Sequence, residues 1–456
     1  MPNLNIQKLR LRDYRCFDSI DIDFHERLTV LVASNGAGKT SILDAIAVAF
    51  GPYVGAFDES VGKHFEPSDI RLTSVRETAT NEMEYAPKGV RLEATGFIPG
   101  SLIDQLDDGH PRATWKRSLA GPIKAKTTIK DAKELIDYGK RLQEAVRTPG
   151  ADATLPLLAY YGTGRLWQQK KLMEGKLPRT SRTIGYTDCL DPASSYKSFV
   201  AWFRYWSTNA FKGQLEASKA GRTYEPTEFD HYIESVGAAV NTCLAPSGWK
   251  DIAYSLSREE LVAHHDQHGE LPVDLLSDGI RNMIGMVADI AFRATKLNPQ
   301  LGFLAAKETP GIVLIDEVDM HLHPEWQQVV LQSLTRAFPS LQFIVTTHSP
   351  QVLTTIPSEC IRILRDNQIF SAPPGTEGAE PERMLKQVLG LHEVRPPANL
   401  ATQELKEYLA LVDNDQWNSP RALELREKLN ARYQGNEPAL LEADLRIENR
   451  KWELGE

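Results

Sequence analysis

The order of apolar and polar positions along the chain predicts a series of strands and helices. Residues 4–32 begin with apolar and polar residues in alternation, as in LNIQKLRL, and end in the apolar run LTVLVA. This pattern predicts two or three strands. The segment that follows is rich in glycine and leads into SILDAIAVAF, which predicts a short apolar helix. We expect this helix to end at Gly51 and Pro52, because glycine is favoured just past a helix end and proline beyond it.

Residues 53–150 contain no recognisable chemical motif, but they have strand and helix patterns. Two stretches predict strands, VRLEATGFI (90–98) and RATWKRSL (112–119). A third stretch, KDAKELIDYGKRLQEAV (130–146), predicts a helix. We therefore expect this part of the chain to be an inserted β/α segment.

Three compact apolar runs after residue 150 predict strands that are buried on both faces. They are LPLLAYY (155–161), GIVLIDE (311–317) and LQFIVTTH (341–348). Between them, aromatic stretches predict a helical insertion over 186–250, and ELVAHHDQHGELPVDLL predicts a hairpin. IRNMIGMVADIAFRATKL predicts a long helix, because its apolar residues recur on one side.

The C-terminal part of the chain predicts helices behind a linker. SAPPGTEGAEPER (371–383) has the composition of a linker, and residues 401–456 predict three helices. In the middle helix, Ser419 is placed as the N-cap, Pro420 as the first helical residue and Gly435 just past the end.

Alternating buried strands and helices predict an α/β fold with a mixed sheet. We expect its core to consist of residues 1–50 and 155–370, with the helical insertion 186–250 inside it. The inserted β/α segment 53–150 interrupts this core, and 384–456 forms a C-terminal helical region.

Composition and charge exclude several classes of protein. The chain is 41% hydrophobic and 25% charged, and no apolar run approaches the length of a membrane span. The N-terminus lacks the regions of a secretory signal. The four cysteines are scattered without a CxxC pair, which argues against a disulfide framework and a zinc hook. We expect a cytoplasmic protein without a membrane partner.

The net charge of −9 means that the surface as a whole does not attract nucleic acid. Contact with DNA would need a local basic patch. Residues 112–147 are the best candidate, since they hold ten Lys and Arg against four Asp and Glu. A solvated helix face is the more common explanation of such an excess.

The segment ASNGAGKT (33–40) matches the phosphate-binding pattern GxxxxGK[ST], except that Ala33 replaces the first glycine. Its glycines allow backbone N–H groups to turn toward phosphate oxygens, and the helix that follows directs its positive end at the same phosphates. Lys39 is expected to reach the β and γ phosphates, and the Thr40 hydroxyl to hold Mg²⁺. The candidate ATP-binding residues are Asn35, Gly36, Ala37, Gly38, Lys39, Thr40 and Ser41.

Two carboxylates follow the apolar run GIVLI, at the carboxyl end of a predicted buried strand. Ligands of α/β sheets bind at this end of the strands. Asp316 is therefore placed to hold Mg²⁺ together with Thr40, and Glu317 to polarise the attacking water. His348 stands at the end of the next buried strand, within TTHSP, and is a candidate for contact with the γ-phosphate.

The segment Leu276-Ser277-Asp278-Gly279 stands directly before a predicted helix, and Ser277 is a natural N-cap. A cap alone does not explain why LSDG lies between the phosphate-binding loop and LIDE. The order of loop, LSDG, LIDE and THSP resembles that of the ABC ATPases of the RecF, SMC and OLD type. The opening LRLRDYRCFDSIDIDF and the segment MHLHPEWQ are also similar to theirs.

This resemblance implies an ABC-type P-loop NTPase core that hydrolyses ATP with Mg²⁺ as a homodimer or higher oligomer. In such proteins the residues matching Ser277, Asp278 and Gly279 complete the ATP site of the partner copy, and the histidine matching His348 senses the γ-phosphate. The resemblance also implies a nucleotide contact for Arg15. No glutamine stands clearly in the Q-loop position, for which Arg165 and Gln168 are the candidates.

Three further segments are similar to the PtuA family, the ATPase subunits of Septu anti-phage systems that also occur beside some retrons. They are LPLLAYYGTGRLW, GYTDCLDPASSYKSFVAWF and ALLEADLRIENRKWE. The resemblance implies a defence complex in which the ATPase regulates an HNH nuclease subunit similar to PtuB. The alternative is a RecF-like DNA-binding repair ATPase without a dedicated nuclease. A nuclease of the OLD type is disfavoured, because the residues after THSP lack the spaced acidic strand ends of a Toprim domain.

Overall fold

The computed structural model describes residues 3–76, 82–100, 104–105, 111–123, 125–150, 153–165, 181–192 and 197–454. The chain consists of two compact units, Met1–Leu389 and Gly390–Glu456. No helix among the described residues has both the length and the apolar character needed to cross a membrane.

The described strands all lie in the first unit. They are β1 (Lys8–Tyr14), β2 (Phe17–Asp23), β3 (Leu28–Ala33), β4 (Leu72–Arg76), β5 (Glu82–Tyr85), β6 (Val90–Gly96), β7 (Asp104–Gln105), β8 (Pro111–Leu119), β9 (Leu157–Tyr161), β10 (Trp249–Ser255), β11 (Glu260–His265), β12 (Gly269–Pro272), β13 (Gly311–Ile315), β14 (Leu341–Thr346), β15 (Ile361–Arg365) and β16 (Gln368–Ser371).

The described α-helices lie in both units, with the last three in the second. They are α1 (Lys39–Val54), α2 (Lys133–Arg147), α3 (Lys197–Lys219), α4 (Glu228–Leu244), α5 (Asp278–Leu297), α6 (Ala305–Glu308), α7 (Pro324–Gln327), α8 (Val330–Ala337), α9 (Pro350–Leu353), α10 (Pro381–Gln387), α11 (Leu400–Asp413), α12 (Pro420–Tyr433) and α13 (Pro438–Leu454).

A six-stranded mixed sheet in the order β16-β15-β3-β14-β13-β9 forms the centre of the first unit. Strands β15, β3, β14, β13 and β9 are parallel, and only the edge strand β16 runs antiparallel. β3, β9, β13 and β14 are buried along their whole length, as apolar runs in parallel sheets usually are. The predicted α/β fold is confirmed, and the loops after β3, β13 and β14 meet at one edge of this sheet.

A second, antiparallel sheet has the order β2-β1-β6-β8-β7. The predicted strands in 90–98 and 112–119 are confirmed as β6 and β8, and the predicted helix in 130–146 as α2. β6 pairs with β1 on one side and with β8 on the other. Strands from residues 53–150 thus extend the sheet that the N-terminal hairpin begins.

The helix after the phosphate-binding loop does not end where the sequence predicted. α1 continues through Gly51 and Pro52 to Val54. A proline inside a helix normally leaves the carbonyl four residues earlier without its N–H donor. Here the Arg117 side chain donates to that carbonyl, on Val48, at 2.7 Å. The expected end at Gly51 and Pro52 was wrong because a distant strand supplies the missing donor.

Residues 371–383 do not form the free linker that their composition predicted. Thr376 is fully buried and its hydroxyl donates to the Ile356 carbonyl at 2.8 Å, while the Gly378 N–H donates to the Thr354 carbonyl. α10 begins inside this stretch, at Pro381. These bonds hold the segment on the first unit, and the boundary between the units follows Leu389.

The second unit is a small three-helix structure with its own core. The predicted three helices are confirmed as α11, α12 and α13. Ser419 caps α12 as predicted, since its side chain accepts from the Ala422 N–H, and Pro420 is the first helical residue. The core residues are Leu405, Tyr408, Val412, Trp417, Ala422, Leu425, Leu429, Leu440 and Ala443.

Candidate nucleotide-binding site

The loop between β3 and α1 has the backbone geometry that phosphate binding requires. Gly36 and Gly38 have φ values of 77° and 102°, in the region that side chains disfavour. A Cβ atom on Gly38 would lie 2.4 Å from the Phe17 ring, so only glycine fits there. Ala33 ends β3 and does not have positive φ, which explains why alanine can replace the usual first glycine. Asn35 and Gly36 are exposed at the tip of the loop.

The ammonium group of Lys39 lies inside this loop and contacts the predicted γ-phosphate sensor. Its Nζ donates to the Ala33 carbonyl at 3.0 Å and lies 2.6 Å from Nε2 of His348. Burial lowers the pKa of Lys39. Burial and the nearby Lys39 charge lower the pKa of His348, so its imidazole is neutral at pH 7 and can accept a hydrogen bond from the ammonium. The structure thus joins two residues predicted from separate motifs.

The two residues expected to hold Mg²⁺ also meet. The Thr40 hydroxyl donates to Asp316 Oδ2 at 2.7 Å. Asp316 is 2% exposed, its Oδ1 accepts from the Thr346 hydroxyl at 2.6 Å, and its backbone N–H donates to the Tyr161 carbonyl. A hydroxyl and a carboxylate at a phosphate-binding loop form the oxygen donor set that Mg²⁺ prefers. The residues present therefore fit this ion.

Thr346 is a site residue that the sequence analysis did not single out. Its hydroxyl donates to Asp316 and accepts from the backbone N–H of Glu317 at 2.7 Å. Glu317 has φ of 48°, a left-handed conformation that is uncommon for a side chain of this kind. One hydroxyl at the end of β14 thus holds both residues at the end of β13. The polar residues at the end of LQFIVTTH were the available signal.

Asp319 is the second site residue that the sequence analysis missed. Its Oδ1 accepts from the hydroxyl of Thr347 at 2.5 Å. Its charge, together with those of Asp316 and Glu317, opposes the lowering of the pKa of Lys39. The negative charges of three carboxylates therefore act on the lysine ammonium.

The LSDG segment lies at the N-terminus of α5. Ser277 is the N-cap by position, but its exposed side chain accepts no capping hydrogen bond. Asp278 is exposed and forms an ion pair with Arg281. A Cβ atom on Gly279 would lie 2.4 Å from the His321 carbonyl oxygen, so the helix start packs directly on the segment after Glu317.

Within the part of the chain that the structure describes, none of the hydrogen bonds or ion pairs joins residues 277–279 to the loop 33–41. Ser277 and Asp278 are exposed at the start of α5, whereas Gly279 is buried against His321. The first N–H groups of a helix have no partner within the helix itself. Such a helix end can take an anion from outside the protomer.

Arg15 lies beside the nucleotide loop but is bound to carboxylates. Its Nη1 donates to Asp44 Oδ2 at 2.6 Å and to the Ser41 hydroxyl at 3.4 Å, and its Nε donates to Asp69 Oδ1 at 2.8 Å. The structure brings Arg15 to the first turns of α1, next to the predicted ATP-binding residue Ser41.

The Q-loop candidates follow β9. Arg165 ends a short 3₁₀ turn, Thr163–Arg165, while its side chain and the whole of Gln168 lie outside the described residues. The structure therefore places only the backbone of the first candidate.

Two family models match the chain, and together they span all the motifs described above. A model described as an AAA domain matches residues 8–217, which include the phosphate-binding loop. A second model, described as "AAA domain, putative AbiEii toxin, Type IV TA system", matches residues 251–354, which include LSDG, LIDE and THSP. Both matches support a nucleotide-binding domain.

Two curated relatives match the chain over 80% or more of its length, and a third matches a shorter part. It is 27% identical to the "Retron Ec83 probable ATPase" of Escherichia coli, covering 99% of this chain and 88% of that protein. It is 26% identical to the "Retron Vc95 probable ATPase" of Vibrio cholerae, covering 80% and 75%. It is 29% identical to the Septu protein PtuA of Bacillus thuringiensis, covering 38% and 44%.

Proposed function

The chain is an ATPase of the ABC type, related to the Septu PtuA and retron ATPases, and from this premise we propose that it is the nucleotide-dependent subunit of an anti-phage complex. It binds ATP and Mg²⁺ at the loop 33–41, oligomerises through composite ATP sites and regulates an HNH nuclease partner. One observation carries the nucleotide part of the proposal. Thr40 with Asp316, and Lys39 with His348, are in contact although each pair joins distant parts of the chain.

The side chains divide the work of phosphoryl transfer. Lys39 and the loop N–H groups would bind the β and γ phosphates. Thr40 and Asp316 would hold Mg²⁺, which would supply positive charge to neutralise the phosphates. Glu317 orients and polarises the attacking water. The Thr346 hydroxyl holds Glu317 in place by accepting a hydrogen bond from its backbone N–H. His348 exchanges its contact with Lys39 for one with the γ-phosphate. Because burial lowers the pKa of His348, its imidazole stays neutral and can both donate and accept a hydrogen bond.

The exposed start of α5 supports a site that is completed by a second copy. Residues 277–279 are not bonded to the loop of their own protomer among the described contacts, while the helix end is open to an anion. In a head-to-tail dimer the Ser277 hydroxyl and the N–H groups of Asp278 and Gly279 would reach the γ-phosphate bound by the partner. Each protomer then contributes to both sites.

We predict that two inactive variants restore activity when they are mixed. Lys39→Ala removes the phosphate contact of its own site, and Ser277→Arg blocks the contribution to the partner's site. A mixed dimer retains one of its two sites. Random pairing of equal amounts makes about half of the dimers mixed, so ATPase activity should recover to about a quarter of the wild-type value or less. Steady-state ATP hydrolysis across mixing ratios measures this. Ser257→Arg, at an exposed serine in the turn after β10, is the matched control and should be active alone. A mixture as inactive as each variant would refute composite sites.

The second unit supports the nuclease part of the proposal. Leu441, Leu445 and Trp452 lie at positions i, i+4 and i+11 of α13 and therefore share one face of the helix. They are 55%, 61% and 83% exposed. Residues 401–456 hold eight basic against twelve acidic residues, which disfavours DNA as the occupant. We assign this apolar face to the nuclease subunit, as a helix-binding surface.

We predict that replacing Leu441, Leu445 and Trp452 by serine abolishes co-purification with the HNH nuclease subunit of the proposed complex. Folding and ATP affinity should be unchanged, because the three side chains are exposed and lie outside the nucleotide site. Leu423→Ser, at a leucine of α12 that is 57% exposed, is the matched control and should retain the nuclease. Removal of residues 390–456 should give the same loss. Equal recovery of the nuclease with the triple variant would contradict the docking surface, and binding of DNA without any nuclease partner would favour the RecF-like alternative.

A further inference from the structure

The helix that carries Lys39 contains a break in its own hydrogen bonding. α1 spans Lys39–Val54 and includes Pro52, which has no backbone N–H. The carbonyl that this N–H would have bound belongs to Val48, and it lies in the buried interior of the unit. A buried carbonyl without a donor is destabilising, so a replacement donor is needed for the helix to continue.

Strand β8 supplies this donor together with a second one. Arg117 Nη1 donates to the Val48 carbonyl at 2.7 Å, and Trp115 Nε1 donates to the Ala49 carbonyl at 3.0 Å. Arg117 and Trp115 are two residues apart on β8, so their side chains lie on the same face of the strand. Both are 1% exposed. Two successive carbonyls of the nucleotide-binding helix are therefore held by one strand.

Arg117 is a buried cation without a carboxylate partner among the described residues. Its other contacts are the Thr128 carbonyl at 2.8 Å, the Lys63 carbonyl at 3.4 Å and Nδ1 of His64 at 3.1 Å. Burial lowers the pKa of Arg117 to about 10, and burial and the Arg117 charge lower the pKa of His64. The negative end of the α1 dipole partly offsets the cost of the buried charge.

The same antiparallel sheet also contacts the other end of α1. At the turn between β1 and β2, Cys16 and Phe17 pack against Gly38, and Arg15 forms an ion pair with Asp44 at 2.6 Å. β1 and β8 are both neighbours of β6 in this sheet. The N-terminal part and the C-terminal half of α1 thus both contact the same antiparallel sheet.

We propose that Arg117 and Trp115 are positioning residues for nucleotide binding. They fix the C-terminal half of α1 so that its N-terminus, with Lys39 and Thr40, stays aligned with Asp316 and His348. α1 is a continuous helix, so a shift at Val48 is carried to the phosphate-binding end. This inference rests on the proposed ATP site, but it concerns residues outside that site.

The test is a double-mutant cycle between Arg117 and Pro52, read by ATP affinity. Arg117→Met should weaken ATP binding by about tenfold, equivalent to about 1.4 kcal/mol, because the Val48 carbonyl loses its donor. Pro52→Ala restores a backbone N–H that can bind Val48 O, so the double variant should recover most of the affinity. Pro52→Ala alone should bind ATP as the wild type does. Calorimetry with ATP and Mg²⁺, together with thermal unfolding of each variant, gives these values.

Trp115→Phe provides an independent measurement if Arg117→Met does not fold. Phenylalanine retains the aromatic contact with Phe50, whose ring centroid lies 5.4 Å away, and removes only the indole donor. ATP affinity should fall about threefold or more, with kcat changed less than the affinity. Wild-type affinity in a folded Arg117→Met or Trp115→Phe protein would overturn the proposal, as would a loss in Arg117→Met that Pro52→Ala leaves unchanged. If the wild-type chain itself binds no ATP, the proposed function fails instead.

Discussion

Lys39→Ala is expected to lower ATP affinity by about 100-fold or more. The ammonium is buried in the phosphate-binding loop, and its charge-assisted hydrogen bonds to phosphate oxygens would contribute about 1.5–3 kcal/mol each. Since a tenfold change in affinity equals about 1.4 kcal/mol, the loss of two such bonds predicts this magnitude. Alanine cannot replace either contact.

Calorimetry of ATP binding with Mg²⁺ measures the effect, with thermal unfolding of the nucleotide-free protein as a test of folding. Lys212→Ala, at an exposed lysine of α3, is the matched control and should bind ATP normally. His348→Ala should weaken binding less than Lys39→Ala, because a neutral imidazole contributes less than a charged group. A folded Lys39→Ala protein with wild-type affinity would remove the basis for an ATP site at residues 33–41.

Glu317→Gln is expected to lower kcat for ATP hydrolysis by about 10²–10⁴-fold, the usual contribution of a general base. ATP affinity should remain close to that of the wild type, because the amide has nearly the same shape and the phosphate contacts come from Lys39 and Thr40. The backbone N–H of Glu317 also keeps its bond to Thr346. Since ATP then stays bound, the variant should accumulate as the nucleotide-bound oligomer.

Single-turnover hydrolysis and light scattering in the presence of ATP and Mg²⁺ measure these two effects. Glu325→Gln, at an exposed glutamate of α7, is the matched control and should hydrolyse ATP at the wild-type rate. Hydrolysis by Glu317→Gln at the wild-type rate would show that another group activates the water. Slow hydrolysis without a larger assembly would support the role of Glu317 in activating water, but it would argue against dimerisation that depends on ATP.

Local patterns in the sequence were sufficient for most of the fold. Largely apolar runs predicted β9, β13 and β14, because a strand covered on both faces buries nearly all of its side chains. The hairpin β11–β12 and the helices of the second unit were predicted from period and capping residues alone. In each case, neighbouring residues contain the signal.

Predictions failed where a distant residue changed the local outcome. Pro52 should end a helix on local grounds, yet α1 continues through it. The reason is that Arg117, which is 69 residues from Val48 in the sequence, donates to the Val48 carbonyl. The proline- and glycine-rich stretch 371–383 has the composition of a linker, yet it is held on the first unit. Thr376 in this stretch is buried, and its hydroxyl donates to the Ile356 carbonyl. Neither bond leaves a periodic signal in the sequence.

The sequence by itself determined the residue types of the phosphate-binding loop, because phosphate binding needs glycines, a lysine and a hydroxyl at fixed spacing. The class of ATPase followed from the resemblance of the motif order to that of known ABC ATPases. Only the tertiary structure decided which of these residues meet. Thr40 and Asp316 are 276 residues apart, and Lys39 and His348 are 309 apart, yet each pair is in contact at the edge of the parallel sheet. Spacing within a loop is a local property, whereas strand order in a sheet is set by the burial of whole strands against one another.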